Sequence, residues 1–472
     1  MKFEPVIGLE IHIELSTKSK MFCACSADYF GAKPNTHTCP ICLGLPGAMP
    51  KANVEAIKFT QKFGAAVGCK IAMSSKFDRK NYFYPDLAKG FQISQYDLPF
   101  SAEGFLEIKT ENGNFKKVRI TRAHLEEDTG KLTHTTINNR RVTLVDFNRS
   151  GVPLMEIVSE PDMESAKEAK LYAQKIRQIA RYMGISDADM EKGSMRIEPN
   201  VSLRKVTDST TDSTKGSKAA KELPPYISSR LSDSPDVILP NYKVELKNIN
   251  SFRFAEKAID YEIERQAEIL GKGEIHTQET RGFNEQKGIT VSQRSKEFAH
   301  DYRYFPEPDL PPLNFTGGQI EKIKSELPEL PDAKYERFIK EFNLGAYDAE
   351  ILTRERTTAE YFEEAVKAGE KARISAKSIA NVIINDRLYI EKILPADLVG
   401  QIYQRTKITH ISDNELEKIV KNVLEENKKA VQDYKNGKYV ALQVLVGAVM
   451  KESKGNTDPQ KAKEVLENLL RN

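Results

Sequence analysis

The clearest hydrophobic pattern lies near the start of the chain, where aliphatic and polar residues alternate from residue 7 to residue 15. A period of two predicts a β-strand, because successive side chains point to opposite faces. Glu10, His12 and Glu14 therefore share one face. For this segment alone, a solvated outer surface is the commoner explanation, although two such side chains are close enough to bind one ion.

Further segments also place carboxylates on predicted strands, and together they favour an ion-binding site over a solvated surface. Glu156 lies within the apolar residues 154–158, where a glutamate is costly unless it is paired, coordinated or protonated. Arg196, Glu198 and Asn200 share the polar side of an alternating segment, and residues 124–128 and 244–248 are also acidic. Carboxylates and basic groups on several strands predict a site for Mg²⁺ and phosphate.

From about residue 295 the pattern becomes helical. Residues 305–312 are rich in proline and predict an extended linker. Ser412 and Glu415 have capping-box spacing before an apolar helical stripe, and residues 439–450 are typical of a buried core helix. Pro459 follows Asp458 near another predicted helix start. We predict an α+β protein with domains at 1–293, 294–405 and 406–472.

Composition narrows the class of protein. The 472 residues are 39% hydrophobic with a net charge of only +3, which indicates a globular protein that would bind nucleic acid through local patches. No apolar run is long enough to predict a membrane span, and the first residues do not resemble a signal peptide. We expect a cytoplasmic protein. Residues 206–241 are rich in Ser, Thr, Asp and Lys and predict a mobile insertion.

Four of the five cysteines predict a structural zinc site. Cys23 and Cys25 are followed, after thirteen residues, by Cys39 and Cys42. Four thiolates match tetrahedral zinc and leave no open position for catalysis. The alternatives are unligated buried thiols, or a site in which His37 replaces one cysteine.

Longer motifs resemble a known family. The chain lacks the phosphate-binding loop G-x-x-x-x-G-K-[ST], so any ATP would be held through metal and basic side chains. The matching motifs are residues 7–15 (IGLEIHIEL), 76–86 (KFDRKNYFYPD), 124–128 (HLEED), 146–154 (DFNRSGVPL), 158–162 (VSEPD), 245–252 (ELKNINSF), 278–281 (QETR), 301–310 (DYRYFPEPDL) and the tail 437–455. Together they resemble the GatB family, the B subunit of the tRNA-dependent amidotransferase, an enzyme that converts Glu-tRNA(Gln) or Asp-tRNA(Asn) to the amide.

The resemblance implies a fold and a reaction. The expected fold is a cradle with a glutamine-synthetase-like antiparallel sheet over 1–293, then an all-α domain and a small all-α tail associated with tRNA. The expected reaction is phosphorylation of the misacylated side-chain carboxylate by ATP and Mg²⁺. The implied residues are Glu10, His12, Glu126 and Glu156 around Mg²⁺, Glu127 and Glu198 as outer partners, and Arg149, Arg196, Lys247 and Arg303 for phosphate or substrate.

Partners follow from what the sequence lacks. It contains no G-x-C-x-G glutaminase nucleophile and no serine-rich amidase signature, so ammonia would come from a partner. The family implies two partners in a heterotrimer, an amidase (the A subunit) and a small bracing protein (the C subunit). Two alternatives stay open: a non-catalytic, zinc-stabilised tRNA-binding protein, and a self-contained ligase that acts on a free amino acid.

Overall fold

The computed structural model describes residues 2–205, 239–295, 302–385, 392–408, 412–453 and 457–471. It divides into two compact units, 1–330 and 331–472. The first unit contains the strands β1 (Phe3–Glu14), β2 (Lys70–Ile71), β3 (Ser74–Ser75), β4 (Asp78–Asn81), β5 (Phe91–Ser94), β6 (Ser101–Lys109), β7 (Phe115–Glu127), β8 (Lys131–Ile137), β9 (Arg140–Asp146), β10 (Pro153–Ser159), β11 (Met195–Lys205), β12 (Val244–Lys247), β13 (Glu279–Asn284), β14 (Ile289–Ser295), β15 (Phe305–Pro306) and β16 (Leu313–Asn314).

One large sheet organises the first unit. In the described part of the chain, nine strands follow the order β14-β13-β12-β11-β1-β10-β7-β6-β2. β1 is central and pairs antiparallel with β10 on one side and β11 on the other. The aliphatic face of β1, which includes Ile7, Leu9 and Ile11, is fully buried. The predicted alternation of β1 is therefore confirmed, and its polar side chains lie on the opposite face.

Helices cover the aliphatic face of this sheet. They are α1 (Val54–Ala66), α2 (Ala166–Tyr182) and α3 (Phe252–Gly271), with α4 (Gly317–Ser325) packed near α1. Asn53, Ser165 and Ser251 cap the first three helices, because each side-chain oxygen accepts a backbone N–H of the first turn. Ile176 and Ile259 on these helices join the same hydrophobic core as Ile11. The first unit thus has one layer of helices and one sheet with a polar face.

Smaller sheets lie beside the large one. β15-β4-β5 form a three-stranded sheet, β16 pairs with β3, and β8 pairs only with β9 within the described residues. β15 and β16 pair with strands more than 200 residues earlier, whereas β8 and β9 form a local hairpin. The prediction of an extended linker at 305–312 is wrong: only Phe305–Pro306 forms a strand, where Phe305 pairs with Arg79, residues 308–310 form a turn, and the segment packs within the first unit. The division after residue 330 therefore comes later than the predicted boundary after residue 293.

The sheet differs from the antiparallel expectation at one pair. β12 and β13 run parallel, with Val244 opposite Glu279. Helix α3 connects the two strands, and a parallel pair needs such a crossover. The overall α+β class is confirmed, whereas a purely antiparallel sheet is not. The predicted insertion at 206–241 falls, for residues 206–238, outside the described residues.

The second unit is helical. Its helices are α5 (Pro331–Phe342), α6 (Ala346–Leu352), α7 (Arg356–Glu370), α8 (Ala376–Asn385), α9 (Pro395–Ile408), α10 (Asp413–Glu426), α11 (Lys428–Lys435), α12 (Val440–Glu452) and α13 (Pro459–Arg471). One core lies among helices α5–α9 and another among α10–α13. The second core is consistent with the predicted tail over 406–472, and that boundary stays a prediction.

Two local predictions in the second unit can be checked directly. The backbone N–H of Glu415 donates to the Ser412 side chain at the start of α10, as the capping spacing predicted. Val440–Glu452 do form a helix, but only one side of it is buried: Leu445 and Val449 are buried, whereas Val440 and Val444 are 75% and 59% exposed. No helix among the described residues combines the length and the hydrophobicity needed to cross a bilayer.

Candidate active site

The polar face of the large sheet collects the predicted carboxylates. In the register of the sheet, His12 lies opposite Glu156 on β10 and opposite Arg196 on β11. Glu10 lies opposite Glu198. Because directly opposed residues share a face, groups separated by almost 190 positions in sequence become neighbours. The pairing register of β1 with β10 and β11 therefore brings these side chains together on one face of the sheet.

The first cluster contains His12, Glu126 and Glu156. One ligand atom from each lies within 4.8 Å of the others. The Nε2 atom of His12 is 3.4 Å from Glu156 Oε2 and 3.9 Å from Glu126 Oε1. His124 completes the cluster, with its Nε2 atom 3.4 Å from the same oxygen of Glu156. Both glutamates are buried, so the three strands β1, β7 and β10 hold two carboxylates beside two imidazoles.

The electrostatics of this cluster depend on its own charges. Burial would lower the pKa of His12, but its contact with Glu156 and the charges of Glu156, Glu198 and Glu126 raise the pKa to about 9. Burial would raise the pKa of Glu156, but His124 and His12 lower it well below the usual range. The cluster therefore holds ionised carboxylates at neutral pH.

Glu10 belongs to a second cluster. Glu10, Glu198 and Glu245 have carboxylate oxygens within 4.8 Å of one another. The structure thus divides the predicted magnesium set, since Glu10 lies with Glu198 and Glu245 and not with the first cluster. Lys247 Nζ is 2.8 Å from Glu198 and 3.2 Å from Glu245. Asn200 donates to Glu10 at 2.9 Å, so every member has a polar neighbour.

Arg196 lies in a third group beside the first cluster. It forms an ion pair with the buried Asp128, and its guanidinium is 3.8 Å from Glu14. Burial would raise the pKa of Asp128, but Arg149 and Arg196 hold it far below the usual range. Burial and the charge of Asp128 raise the pKa of Glu14 to about 8. Arg196 thus stabilises one charged carboxylate and contacts a second.

Three predicted residues have other contacts. Glu127 follows Glu126 on the same strand and so faces the other way, where it pairs with Lys89 and accepts from the Ile93 amide. Arg149 donates to the carbonyls of residues 129 and 130, which braces a hairpin. Arg303 is exposed and has a φ of 42°, in the left-handed region. Among the described residues, these contacts of Glu127 and Arg149 lie outside both carboxylate clusters, and Arg149 is also 3.7 Å from Asp128.

The small β15-β4-β5 sheet adds groups to the first cluster. Ser94 on β5 donates to Glu126 at 3.1 Å. Lys80 on β4 lies 5.1 Å from the centre of the Tyr302 ring. Burial would lower the pKa of Lys80, but the charges of Glu126 and Glu156 raise it far above the usual range. A charged ammonium therefore faces the carboxylates.

The four cysteines form a separate cluster. The Sγ atoms of Cys23, Cys25, Cys39 and Cys42 lie within 4.8 Å of one another. The Cys39 and Cys42 sulfurs are 3.8 Å apart, and a regular tetrahedron with Zn–S of about 2.3 Å has an edge of about 3.8 Å. Cys42 accepts a contact from the ammonium of the fully buried Lys20 at 3.8 Å. The cluster can therefore hold a metal ion.

Sequence reasoning missed several residues of the two carboxylate clusters. His124 alternates with Glu126 on β7, so the period of two could have placed it on the same face. Glu245 carried the same signal on β12. Lys80 and Ser94 had no such signal, because their strands have four residues each and reach the site only through long-range packing.

Comparison with known proteins gives the family. Residues 5–223 and 227–321 match the GatB/GatE catalytic domain, and residues 330–470 match the GatB domain. The chain is 44% identical to a protein of Thermotoga maritima that is named as the B subunit of the aspartyl/glutamyl-tRNA(Asn/Gln) amidotransferase, over 100% of this chain and 99% of the relative. It is 45% identical to the protein of the same name from Thermodesulfovibrio yellowstonii, over 100% of both chains. The chain therefore belongs to the GatB family of amidotransferase subunits.

Proposed function

We propose that this chain catalyses the ATP-dependent amidation of misacylated Glu-tRNA(Gln), Asp-tRNA(Asn) or both. The names of its relatives support the reaction, and one geometric observation carries it. His12, Glu126 and Glu156 come from three strands distant in sequence, and their ligand atoms gather within 4.8 Å on the polar face. Burying two carboxylates there is costly unless other charges compensate them. Buried, charge-compensated carboxylates of this kind are typical of functional sites.

The chemistry requires activation of a poor electrophile. A carboxylate oxygen of the aminoacyl side chain attacks the γ-phosphorus of ATP, the bond from that phosphorus to the bridging oxygen breaks, and ADP leaves. Ammonia then attacks the acyl carbon, the carbon–oxygen bond to phosphate breaks, and the nitrogen loses a proton. The products are the side-chain amide, ADP and phosphate. The protein must position these groups and balance the charge of the phosphates.

The donor atoms fit a divalent cation. Carboxylate oxygens are the ligands that Mg²⁺ prefers, and such sites retain several waters. His12, Glu126 and Glu156 would hold one ion, and His12 would release the proton that its raised pKa retains at neutral pH, because a ligating imidazole must be neutral. Glu10, Glu198 and Glu245 offer a second carboxylate set. The Nδ1 atom of His12 is buried without a hydrogen-bond partner among the described residues, but it is the Nε2 atom that faces both glutamates and would bind the ion. A bound cation there would neutralise phosphate charge.

The residues of this chain have separate roles in the proposed reaction. Lys247 stays charged at neutral pH: burial would lower its pKa, but Glu198 and Glu245 raise it far above the usual range. It would contact a phosphate that approaches the second carboxylate set. Lys80 would act in the same way beside Glu126. Arg196 would hold Asp128 in place and thereby fix the end of β7.

The proposed reaction needs partner proteins for the steps that this chain does not perform. Ammonia would come from a partner amidase, the A subunit of the family's complex, and a small third protein, the C subunit, would complete the heterotrimer. Misacylated tRNA would be the substrate, and the cysteine cluster would hold a structural Zn²⁺. The first unit would be the catalytic cradle, the helices from 331 would include the tRNA-associated tail, and the cytoplasm would be the compartment.

The test uses the assembled amidotransferase with ammonium chloride as nitrogen donor. Glu156→Gln removes one buried carboxylate charge and should lower amidation of misacylated tRNA by about 100-fold or more. Glutamine hydrolysis by the partner amidase should be retained. The matched control is Glu107→Gln, an exposed carboxylate on β6 of the same sheet, which should leave amidation unchanged.

Three outcomes would contradict the proposal. Amidation by Glu156→Gln at the wild-type rate would favour the non-catalytic tRNA-binding protein. ATP hydrolysis with free glutamate and no tRNA would favour the self-contained ligase. Loss of amidation in Glu107→Gln as well would show a general effect of charge on the sheet.

A further inference from the structure

A basic hairpin extends from the end of the strand that carries Glu126. β8 and β9 pair with each other over seven residue pairs, from Lys131 opposite Asp146 to Ile137 opposite Arg140. None of the sixteen residues from 131 to 146 is buried. An isolated two-stranded hairpin is marginally stable in water, so such an arm gains stability from whatever it binds. We call residues 129–146 the arm.

The arm is mainly basic, and its one carboxylate, Asp146 at the base, accepts from backbone amides. Residues 129–145 include no aspartate or glutamate, whereas Lys131, Arg140 and Arg141 are basic. All three basic residues are exposed, and none pairs with a carboxylate within the part of the chain that the structure describes. From the register position of Arg141 to Lys131 the arm extends about 17 Å, at about 3.4 Å per residue. Along the axis of a DNA duplex each strand carries one phosphate per about 3.4 Å, so an arm lying parallel to such an axis would span roughly five phosphates of one strand.

Hydroxyl groups accompany the basic residues. Thr133, Thr135, Thr136 and Thr143 lie on the two exposed strands, and threonine hydroxyls commonly bond phosphate and sugar oxygens. A protein partner would instead favour an apolar centre of the contact. Two large aliphatic side chains of the arm are exposed, Ile137 at the tip at 47% and Leu144 at 49%. The chemistry therefore favours a polyanion over a protein.

The base of the arm is fixed. Arg149 donates to the carbonyl oxygens of Thr129 and Gly130, at 2.9 and 2.8 Å. Asp146 accepts from the backbone amides of Asn35 and Asn148, at 2.9 and 3.0 Å. These bonds hold both strands where they leave the body of the first unit.

The arm also begins close to the first carboxylate cluster. Lys131 is five residues after Glu126, so its Cα lies within about 18 Å of that residue even for a fully extended chain. A molecule that lies along the arm can therefore reach the cluster with its end.

An exposed aromatic loop shares the same anchor. The carboxylate of Asp86 accepts from the Thr129 hydroxyl at 3.0 Å, and its carbonyl accepts from the Gly130 amide at 2.9 Å. In the same loop, Phe83 is 88% exposed and Tyr84 is 61% exposed. An exposed phenylalanine ring is a platform on which a nucleic-acid base can stack. This loop connects β4 and β5, which supply Lys80 and Ser94 to the cluster.

We propose that the arm and Phe83 together bind the acceptor end of the substrate tRNA. The arm would contact phosphates of the acceptor stem, and Phe83 would stack on a base of the single-stranded 3′ end that carries the amino acid. This inference rests on the proposed function, because it assigns the contacts that bring the aminoacyl group to the carboxylates. Basic groups along a backbone combined with an aromatic platform are the usual means of binding a single-stranded end.

The experiment measures binding of uncharged tRNA to the assembled amidotransferase at several salt concentrations. The arm variant is K131Q/R140Q/R141Q. We expect its affinity to fall about tenfold or more near physiological salt, and the slope of log affinity against log salt to decrease by about 2 to 3, since each lost phosphate contact removes about 0.7 to 0.9. In the amidation assay, KM for misacylated tRNA should rise while kcat changes little.

Phe83→Ala tests the aromatic contact separately. It should weaken tRNA binding about 5- to 100-fold without changing the salt slope, because stacking releases no counterions. The matched control is K257Q/K272Q/K287Q, which removes the same charge from exposed positions on and after α3. Its affinity and salt slope should equal those of the wild type.

Two results would overturn the inference. One is an arm variant with the same affinity and salt slope as the control triple. The other is an arm variant that no longer assembles with the amidase in light scattering, which would make the arm a protein interface. Binding of uncharged tRNA involves no chemistry, so either result leaves the amidation test of Glu156→Gln standing. A wild-type complex that binds no tRNA would instead refute the proposed function.

Discussion

Replacing Lys20 tests how the cysteine cluster is held. This lysine is fully buried, and its ammonium donates to the carbonyl oxygens of His37 at 2.7 Å and Phe147 at 3.3 Å. It also lies 3.8 Å from the Cys42 sulfur. Lys20→Met keeps the apolar stem and removes both the charge and the donors.

The magnitude follows from the charge of the site. Four thiolates around Zn²⁺ carry a formal charge of −2, and one ammonium offsets half of it. At the observed 3.8 Å, with an effective dielectric constant of about 20, the attraction is about 4 kcal/mol per unit charge. We expect a loss of about 2 to 4 kcal/mol, or about 30- to 1,000-fold in zinc affinity.

The assay is competition for zinc with a chromogenic chelator, together with the zinc content of the purified chain. Lys18→Met is the matched control, because Lys18 is two residues away and exposed. It should bind zinc like the wild type. Equal zinc affinity in Lys20→Met and Lys18→Met would refute the reasoning that the buried ammonium balances the thiolates.

Three further changes test the packing and charges of the two units. Glu307→Ala should cost about 3 kcal/mol of unfolding free energy in urea, because it removes the buried carboxylate that pairs with Arg79, a side chain only 22% exposed. Gly104→Ala should lower the melting temperature, since its Cβ would lie 2.7 Å from the carbonyl oxygen of Val67, an overpacking cost of about 1 to 3 kcal/mol. Burial would raise the pKa of Glu363, but its basic partners hold it below 4.5, so its stabilisation is present above about pH 4.5 and is lost as the pH falls through the folded pKa. The difference in melting temperature between wild type and Glu363→Gln should therefore shrink on acidification.

Matched variants separate these effects from general damage. Asp309→Asn changes a carboxylate that is 35% exposed and 3.6 Å from the same arginine, and should cost little. Gly271→Ala adds a Cβ with nothing within 4 Å and should be neutral or slightly stabilising. Glu364→Gln removes an exposed charge beside Glu363 and should show no such pH dependence. Equal effects within any of these pairs would contradict the corresponding argument.

Local pattern was enough to predict much of the framework. The alternation of β1 gave its polar face because the strand period is a property of the backbone itself. The cysteine spacing gave the four-sulfur cluster because short loops bring such ligands together without help from the rest of the fold. The same period of two separates Glu126 from Glu127, so their opposite orientations were also readable from the sequence.

Register and strand order were not readable in this way. Glu10 and His12 share a face, but Glu10 joins Glu198 and Glu245 while His12 joins Glu156. That division depends on which strand lies on each side of β1, and on a register that pairs residues far apart in the chain. The short strands of the β15-β4-β5 sheet have too few residues to show a period, so Lys80 could not be placed beside the cluster.

One face of the large sheet forms the hydrophobic core and the other carries the proposed active site. Because the two roles lie on separate faces, they can be tested separately. Ile11 and Ile157, on the aliphatic face, belong to the buried core, whereas the neighbouring His12 and Glu156 contact each other on the polar face. A substitution on the polar face that removes charge should therefore change metal and phosphate binding more than it changes unfolding. Although burial would raise the pKa of Glu156, His124 and His12 hold it well below its usual range, so the ionised carboxylate stabilises the fold, and Glu156→Gln should lose some stability at neutral pH. A Glu156→Gln variant that still folds but loses amidation far more than it loses stability would locate the function on that face.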